Sequence, residues 1–533
     1  MTTTSPSAVT TEMSHREILV VIGGLMTAMF LAALDQTIVA TALPTIAGEF
    51  DALSRLSWVV TAYLLTSTVA VPLYGKVSDL YGRKPLFLGA IVIFTVGSLT
   101  AGIAQTMTHL IASRAVQGVG AGGLMAMAQT IMGDVVSPRE RGRYMGYIGA
   151  VFGVSSIIGP LLGGFFVDTL SWRWVFHLNL PLGLLALYVV QRSLQLPRTR
   201  RERAIDYLGA ALLTAGVTAL LLLLVWGGQV YAWRSEPIAV LAAIFVVALV
   251  AFVAVERRAA EPVLPLDLFG NGVFRVSAAM SLIVGTAMFG AIVFMPLYLQ
   301  VVTGVSATSS GLLLIPLVGG LLAASITAGR LTTRWGRYRA FPIAGTAVLS
   351  LGLWLLSTMS VDTRQAVVSA YMVVVGLGIG AVMQTLVLAT QNAVPLQQLG
   401  IATSAMQFFR SIGGSIGVAL FGALLNARLT SLLGASGIRL PGGASAESLS
   451  SPDAIAALPP AARVVLQGAL AEAITFVFGL AVPVAVVGFG LSWLLHELPL
   501  RTHSSLAESI AESGPGFVER PSAAEAMAQE GSA

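Results

Sequence analysis

Uncharged segments of about 18 residues or more recur along the whole of this 533-residue chain. A run of roughly 20 apolar residues is long enough to cross a bilayer as a helix. Only 10% of the residues are charged and 56% are hydrophobic, whereas soluble domains contain about 25% charged residues. The sequence therefore predicts an all-α polytopic membrane protein rather than the alternating segments of a β-barrel.

We predict fourteen membrane spans, at residues 18–43, 55–74, 86–104, 109–135, 144–167, 174–193, 206–226, 236–255, 274–299, 309–329, 341–359, 365–390, 400–426 and 469–495. Cytoplasmic loops carry an excess of Lys and Arg. When residues at the ends of spans are counted with the adjoining loop, the side of the two termini holds 21 of the 30 basic residues, the opposite side seven and the interior of the spans two. This asymmetry predicts a multi-pass protein of the cytoplasmic membrane with both termini in the cytoplasm. It also explains the net charge of +5 without a nucleic-acid partner.

An internal repeat with an offset of about 258 residues runs through the chain. Gln117–Met125 is similar to Val375–Met383, and Gly159 matches Gly417 at the same offset. The repeat predicts two six-helix bundles with two inserted spans between them. Such repeats are a transporter architecture in which the substrate binds between the halves.

The predicted organisation follows from the repeat. It consists of a cytoplasmic tail at 1–17, a first bundle at 18–193, a linker with the two inserted spans at 194–273, a second bundle at 274–495 that includes a long extracellular loop at 427–468, and a disordered cytoplasmic tail at 496–533.

Asp35 lies inside the first span. A carboxylate there costs about 2.5–3.5 kcal/mol on insertion scales, so Asp35 is a candidate functional residue. An Asp near a helix end that reaches interfacial water is the alternative interpretation. Arg114 lies at a similar depth in the fourth span, with Gln117 one turn further along. A neighbouring cation and burial act in opposite directions on the proton affinity of a carboxyl group, so this group can exchange protons. A static structural pair is the alternative interpretation.

A short loop joins spans two and three and contains Gly75, Asp79, Gly82, Arg83 and Lys84. It resembles the signature loop G-x-x-x-D-x-x-G-R-K/R of the major facilitator superfamily. The resemblance implies a latch that holds the two bundles together at the cytoplasmic face. The second copy of the loop has Thr333 in place of the acid, so we expect the latch to depend mainly on the first copy.

Three further segments resemble that superfamily. Leu34–Pro44 is similar to the L-D-x-T-I-V-N-x-A-L-P segment of the fourteen-span drug:proton antiporters, although Ala40 replaces the frequent Asn. Arg114–Gly120 is similar to the motif whose Arg is implicated in proton coupling. The fifth span resembles the antiporter motif of exporters through Gly153, Gly159, Pro160, Gly163 and Gly164. Ordinary packing of small residues is the alternative interpretation of the fifth span.

The second bundle differs from the first in its polar residues. The positions matched to Asp35 and Arg114 are Ala287 and Met372. This favours a monocationic, neutral or amphiphilic substrate, or one with an anionic group near Arg410. The candidates to line a substrate cavity are Gln36, Tyr63, Phe152, Gln384, Gln407 and Arg410.

These features and resemblances together predict a proton-coupled antiporter that exports small amphiphilic or lipophilic compounds (multidrug efflux). We expect a monomer among membrane lipids, driven by the proton gradient, with no cofactor, metal or enzymatic activity. A dedicated exporter of one metabolite, antibiotic or lipid precursor and a proton-coupled importer remain alternatives. A membrane enzyme is disfavoured because the five histidines show no metal-ligand spacing.

Overall fold

The computed structural model describes residues 15–50, 55–194, 206–228, 230–305, 307–435 and 460–501. Within these ranges the chain forms fourteen long helices joined by short connections, and the predicted all-α class is confirmed. The predicted tails at 1–14 and 502–533, and residues 436–459 of the predicted outer loop, lie outside the described residues.

We number the long helices α1 to α14 in chain order. The first half contains α1 (His15–Glu49), α2 (Leu56–Tyr81), α3 (Arg83–Gly102), α4 (Met107–Val135), α5 (Pro138–Thr169) and α6 (Asn179–Ser193). The inserted pair is α7 (Tyr207–Trp226) and α8 (Glu236–Glu256). The second half contains α9 (Gly272–Leu297), α10 (Ile315–Trp335), α11 (Ala340–Ser357), α12 (Gln365–Ala393), α13 (Leu399–Ala435) and α14 (Pro460–Ser492).

Local sequence signals set several helix ends. The side chain of Thr106 accepts a hydrogen bond from the backbone N–H of His109 and caps α4, and Asn271 caps α9 in the same way. Gly82 separates α2 from α3 at φ 94°, and Gly336 ends α10 at φ 69°. Glycine is the residue best suited to these left-handed conformations.

Thirteen helices within the described ranges are long and apolar enough to span a membrane. The remaining long helix, α4, is not among them, and it carries Arg114, Gln117 and Gln129. It is buried over most of its length by its neighbours, so protein atoms rather than lipid surround these polar side chains. Because fourteen helices cross in alternating directions, α1 begins at the face where α14 ends. We call this the terminal face and the opposite one the distal face.

The two halves pack in the same way. In the first half α1 packs on α5, and α4 packs on both α2 and α3. In the second half α9 packs on α13, and α12 packs on both α10 and α11, which are the equivalent pairs. The halves meet mainly through α2 with α13 and α5 with α10, two pairs that the repeat exchanges. The predicted architecture of two six-helix bundles is therefore confirmed.

The inserted helices α7 and α8 pack on each other, and α7 lies against α2 and α13, outside both bundles. Most of α8 is exposed and apolar, as Val247 at 67% and Val250 at 64% illustrate. Its buried residues are Ile238, Ala248, Phe252 and Glu256. This pair therefore presents a lipid-facing surface, and it contacts the bundles along one side only.

Glycines at equivalent positions allow the closest helix contacts in both bundles. A Cβ atom on Gly118 of α4 would collide with the carbonyl oxygen of Tyr63 in α2. A Cβ atom on Gly376 of α12 would collide with the carbonyl oxygen of Leu317 in α10. Small residues let backbones approach closely where lipid supplies no hydrophobic driving force. The repeated glycines thus preserve the same backbone packing in both halves.

Several helices extend past the predicted spans; α2 continues to Tyr81, so the predicted loop at Gly75–Lys84 is helical except at Gly82. Three further differences change the predicted organisation. The predicted sixth span is interrupted, because a short helix at Trp174–His177 precedes α6. Helix α13 continues to Ala435 and α14 begins at Pro460, so both ends of the predicted 427–468 loop are helical.

The third difference is that residues 496–501, predicted to begin a disordered tail, lie along the second bundle. The backbone N–H of Leu498 donates to the Tyr338 hydroxyl at 3.0 Å, and that hydroxyl donates to the His496 carbonyl at 2.9 Å. The Asn392 amide donates to the Pro499 carbonyl at 3.0 Å. The backbone of this segment is thus hydrogen-bonded to the second bundle, and its polar composition does not predict these bonds.

Gly376→Ala tests the close contact between α10 and α12. The added methyl group forces the two backbones apart, so we expect the free energy of unfolding to fall by about 1–3 kcal/mol. The measurement is the thermal unfolding midpoint of the purified protein in detergent. Gly319→Ala is the control, because nothing lies within 4 Å of its Cβ position, and this variant should keep or slightly raise the midpoint. Equal behaviour of the two variants would contradict the packing.

Candidate functional site

Asp35 is at the centre of a polar network inside the first bundle. It lies in α1, and its side chain is fully buried at 0% exposure. Its Oδ2 accepts a hydrogen bond from Nη1 of Arg114 at 2.6 Å, and its Oδ1 accepts one from Nε2 of Gln117 at 2.9 Å. The structure thus brings together the three residues predicted to couple protons.

The Arg114 guanidinium is held by further contacts. Its Nη1 also donates to Oε1 of Gln117 at 2.7 Å, and its Nε donates to the Val59 carbonyl of α2 at 3.4 Å. Its Cζ lies 4.1 Å from the ring centroid of Tyr63 and 5.8 Å from that of Phe176, within cation–π range. Tyr63, predicted to line the substrate cavity, is only 1% exposed, and its ring packs against the Arg114 guanidinium.

Asn179 completes the network, and the sequence analysis missed it. It is the first residue of α6, and its Nδ2 donates to Oδ1 of Asp35 at 2.9 Å and to the Ser98 hydroxyl at 2.9 Å. Ser98 in turn donates to the Phe176 carbonyl at 2.9 Å. The available signal was an amide side chain within a predicted span. Its importance depends on how α6 packs against α1 and α3, which no local pattern reveals.

This arrangement satisfies Asp35 as a carboxylate. The ionised group accepts three hydrogen bonds, one of them from a cation, and charge-assisted bonds of this kind are the strong ones. A proton added to either oxygen turns an acceptor into a donor and removes the charge that pairs with Arg114. Protonation and release of the ion pair are therefore linked by the geometry.

The predicted latch joins the bundles at the terminal face. Arg83 forms an ion pair with Asp79, and its Nε bonds Oδ2 of Asp134 in α4 at 2.8 Å. Oδ2 of Asp79 accepts a hydrogen bond from the backbone N–H of Ile401 at 3.1 Å. Ile401 lies in the first turn of α13, where N–H groups are free and negative charge is favoured. Asp79 therefore connects the first bundle directly to the second.

The other latch residues have different roles. Gly75 lies against Ser404 of α13, where a Cβ atom would meet the serine hydroxyl at 2.6 Å. Gly82 makes the turn between α2 and α3. Lys84, predicted to belong to the latch, donates to the Gln191 carbonyl at 2.8 Å and so bonds within the first bundle.

A second clasp at the terminal face centres on Gln391, near the end of α12. Its Oε1 accepts a hydrogen bond from Nη1 of Arg141 in α5 at 2.7 Å. Its Nε2 donates to the Gln129 carbonyl of α4 at 3.3 Å and to the Thr403 hydroxyl of α13 at 3.0 Å. Sequence analysis missed this clasp, since Arg141 is one of several basic loop residues and only folding buries it to 1% exposure.

The glycines of the antiporter motif face two different helices. A Cβ atom on Gly159 would meet the Ile38 backbone nitrogen of α1 at 3.1 Å, and one on Gly163 would meet the Ile38 carbonyl oxygen at 2.8 Å. Gly153 faces Val318 of α10 in the other bundle, whereas Gly164 has nothing within 4 Å. Pro160 lies beside Gly311 of the second bundle. The motif thus packs α5 against α1 and also lies at the boundary between the bundles.

The remaining cavity candidates fall into three environments. Gln36 is exposed, and Phe152 is partly buried against the core of the first bundle. Gln384 and Arg410 are each 8% exposed, and Gln407 is partly buried. Over the described residues there is no group of three or more His, Cys, Asp or Glu that could hold a metal ion.

Two repeated helix bundles, an ion pair buried inside one of them and a clasp between them at one face define a membrane transporter. The family model of the Major Facilitator Superfamily matches residues 25–418. The chain belongs to this superfamily, and it is a transporter rather than an enzyme.

Named relatives include multidrug transporters. The chain is 38% identical over 526 residues to the multidrug transporter protein MdtP of Bacillus subtilis, covering 94% of this chain and 97% of that one. It is 44% identical over 502 residues to an MFS-type transporter of Mycobacterium tuberculosis, covering 93% and 72% of the two chains. The solved proton:xylose symporter XylE shares the fold, with a TM-score of 0.62, 13% identity and coverage of 93% and 99%.

Arg114→Met leaves the Asp35 carboxylate buried without its cation. We expect the free energy of unfolding to fall by about 3–5 kcal/mol, measured by thermal unfolding of the purified protein. Asp35→Asn in the same chain removes the uncompensated charge, so the double variant should lose less than the sum of the two single losses. Strictly additive losses would contradict a direct ion pair.

Asp79→Asn and Gln391→Ala each weaken a contact between the bundles at the terminal face. The chain has no cysteine, so spin labels can be attached through Tyr81→Cys and Trp335→Cys at two exposed helix ends. We expect pulsed electron–electron distances to shift toward a separated population in each variant, and furthest in the double variant. Lys84→Ala is the control and should leave the distribution unchanged. A Gln391→Ala distribution identical to that of the parent would rule out the second clasp.

Proposed function

We propose that this protein is a proton-coupled antiporter that exports small amphiphilic compounds across the cytoplasmic membrane by alternating access. The observation that carries the proposal is the buried ion pair of Asp35 and Arg114, which is a protonatable group enclosed in the first bundle. The similarity to multidrug transporters over nearly the whole chain supports export of such compounds.

The terminal face is the cytoplasmic side in this proposal. The excess of basic residues in the loops of that face supports the assignment. Both clasps then hold the bundles together at the cytoplasmic side, as the outward-facing state of the proposed cycle requires. In this state substrate leaves toward the outside and protons arrive from the outside.

Proton exchange follows from the chemistry of the ion pair. An incoming proton neutralises Asp35, and the neutral group no longer holds Arg114 as a counterion. A buried guanidinium without its partner is unfavourable, so the surrounding helices favour a different arrangement. Return of Arg114 to Asp35 on the cytoplasmic side of the cycle expels the proton. Substrate and proton thereby use alternate states of one protein.

Asp35→Asn tests the coupling in proteoliposomes. The amide cannot carry the proton, so we expect loss of substrate-driven proton movement, measured with a pH-sensitive dye trapped inside the vesicles. Asp168→Asn is the matched control, because Asp168 is an exposed acid at the distal end of α5, and coupling should persist. Wild-type coupling in the Asp35 variant would refute the assignment. Competition between structurally unrelated compounds then separates a multidrug pump from a dedicated exporter.

A further inference from the structure

The second bundle contains a buried cation, Arg410, that has no partner among the described residues. Arg410 in α13 is 8% exposed, and within the described part of the chain its side chain makes no hydrogen bond, ion pair or cation–π contact. The other two buried arginines among the described residues are bonded. Arg114 bonds a carboxylate, and Arg141 bonds an amide and two carbonyls. A guanidinium removed from water without a counterion is unfavourable, so an anion supplied from outside the chain would stabilise it.

Two amide side chains accompany Arg410, and both have unused hydrogen-bonding capacity. The Oε1 atoms of Gln384 and Gln407 are buried without a hydrogen-bond partner among the described residues. Gln384 itself is only 8% exposed. A carboxamide can present its NH₂ group after a rotation about its last bond, and a guanidinium offers five N–H donors. Together these groups form a set of donors suited to a carboxylate or sulfonate.

Helix register places the three side chains at one level. Gln391 of α12 contacts Thr403 of α13 at 3.0 Å, which fixes how these antiparallel helices are aligned. Gln384 and Arg410 each lie seven residues from that contact, about 10 Å toward the middle of the bundle and on the same helix faces. Gln407 lies between Thr403 and Arg410 on that face of α13. The three groups therefore lie at a similar level of the second bundle, beyond the second clasp.

This face looks into the space between the bundles. Gln391, on the same side of α12 as Gln384, is bonded to α4 and α5 of the first bundle. The group Gln384, Gln407 and Arg410 consequently lies at the closed end of the proposed transport cavity. The first bundle places its own acid, Asp35, in an ion pair, so that carboxylate does not neutralise Arg410.

We propose that Gln384, Gln407 and Arg410 form an anion-binding subsite and that the transporter exports amphiphiles carrying a monoanionic carboxylate or sulfonate. This inference rests on the proposed export function and names the substrate class of its cavity. A monoanion that moves out and a proton that moves in both transfer positive charge toward the inside. Transport of such a substrate is therefore driven by the membrane potential as well as by the pH gradient.

The test compares two fluorescent probes with the same aromatic skeleton, the anion anilinonaphthalene sulfonate and its uncharged parent phenylnaphthylamine. Binding is measured in lipid nanodiscs as ligand-induced thermal stabilisation, and export is measured in proteoliposomes. Arg410→Gln should weaken binding of the sulfonate about tenfold or more and abolish its export, while phenylnaphthylamine export persists. Arg410→Lys should retain part of the sulfonate binding.

Further variants separate the subsite from general damage. Gln384→Leu and Gln407→Leu should weaken sulfonate binding less than Arg410→Gln does. Arg428→Gln is the matched control on the same helix, since Arg428 is exposed and paired with Glu472 at the distal face, and it should change neither probe. An imposed inside-negative potential, without a pH gradient, should accelerate export of the sulfonate.

Several outcomes would overturn the subsite. They are sulfonate binding that is insensitive to Arg410→Gln, an equal loss of both probes in that variant, or stabilisation by chloride alone with none by the sulfonate, which would indicate a resident inorganic anion. Proton-coupled export of phenylnaphthylamine alongside any of these leaves the export function intact. Arg410-dependent sulfonate binding without export of either probe would instead retain the subsite and refute the export function.

Discussion

The structure depends on the need to satisfy two opposite charges that are removed from both water and lipid. The Asp35 carboxylate and the Arg114 guanidinium are 0% and 2% exposed. Contacts with protein atoms must therefore compensate for the loss of their hydration. Their partners come from four helices, because α1 supplies Asp35, α2 surrounds the guanidinium, α4 supplies two donors and α6 supplies Asn179. The ion pair thus fixes the mutual position of four of the six helices of the first bundle.

The two bundles share their packing and differ in their charges. Glycines at repeated positions bring equivalent helices together, so the backbone of the second bundle follows that of the first. Ala287 and Met372 occupy the positions of the ion pair, and both are fully buried in apolar surroundings. The second bundle instead holds Arg410, which has no partner in the part of the chain that the structure describes. Two bundles with the same backbone packing therefore hold different charges: a paired acid and base in the first, and an arginine without a partner among the described residues in the second.

The sequence predicts the number and order of the spans well, since the hydrophobic runs are long and the basic loops separate them. It also predicts the pairing of Asp35 with Arg114, because isolated charges in a membrane require partners. It does not predict Asn179 or the Arg141–Gln391 clasp. These contacts join residues 144 and 250 positions apart, and they depend on packing that no local pattern encodes. The contacts of Tyr63 with Arg114 and of Lys84 with Gln191 also join different helices, so the sequence does not reveal them.

Helix α4 connects the polar network around Asp35 with the latch at the terminal face. Arg114 and Gln117 hold Asp35 near one end of this helix, and Asp134 bonds the latch residue Arg83 at the other. Arg114 and Asp134 are 20 residues apart, or about 30 Å along one continuous helix. Close backbone contacts with α2 and α3 leave α4 little room to bend independently. In the proposed antiport cycle, a displacement of Arg114 on protonation of Asp35 moves a rigid helix whose far end bonds the latch residue Arg83. A single helix then joins proton binding to the latch between the bundles.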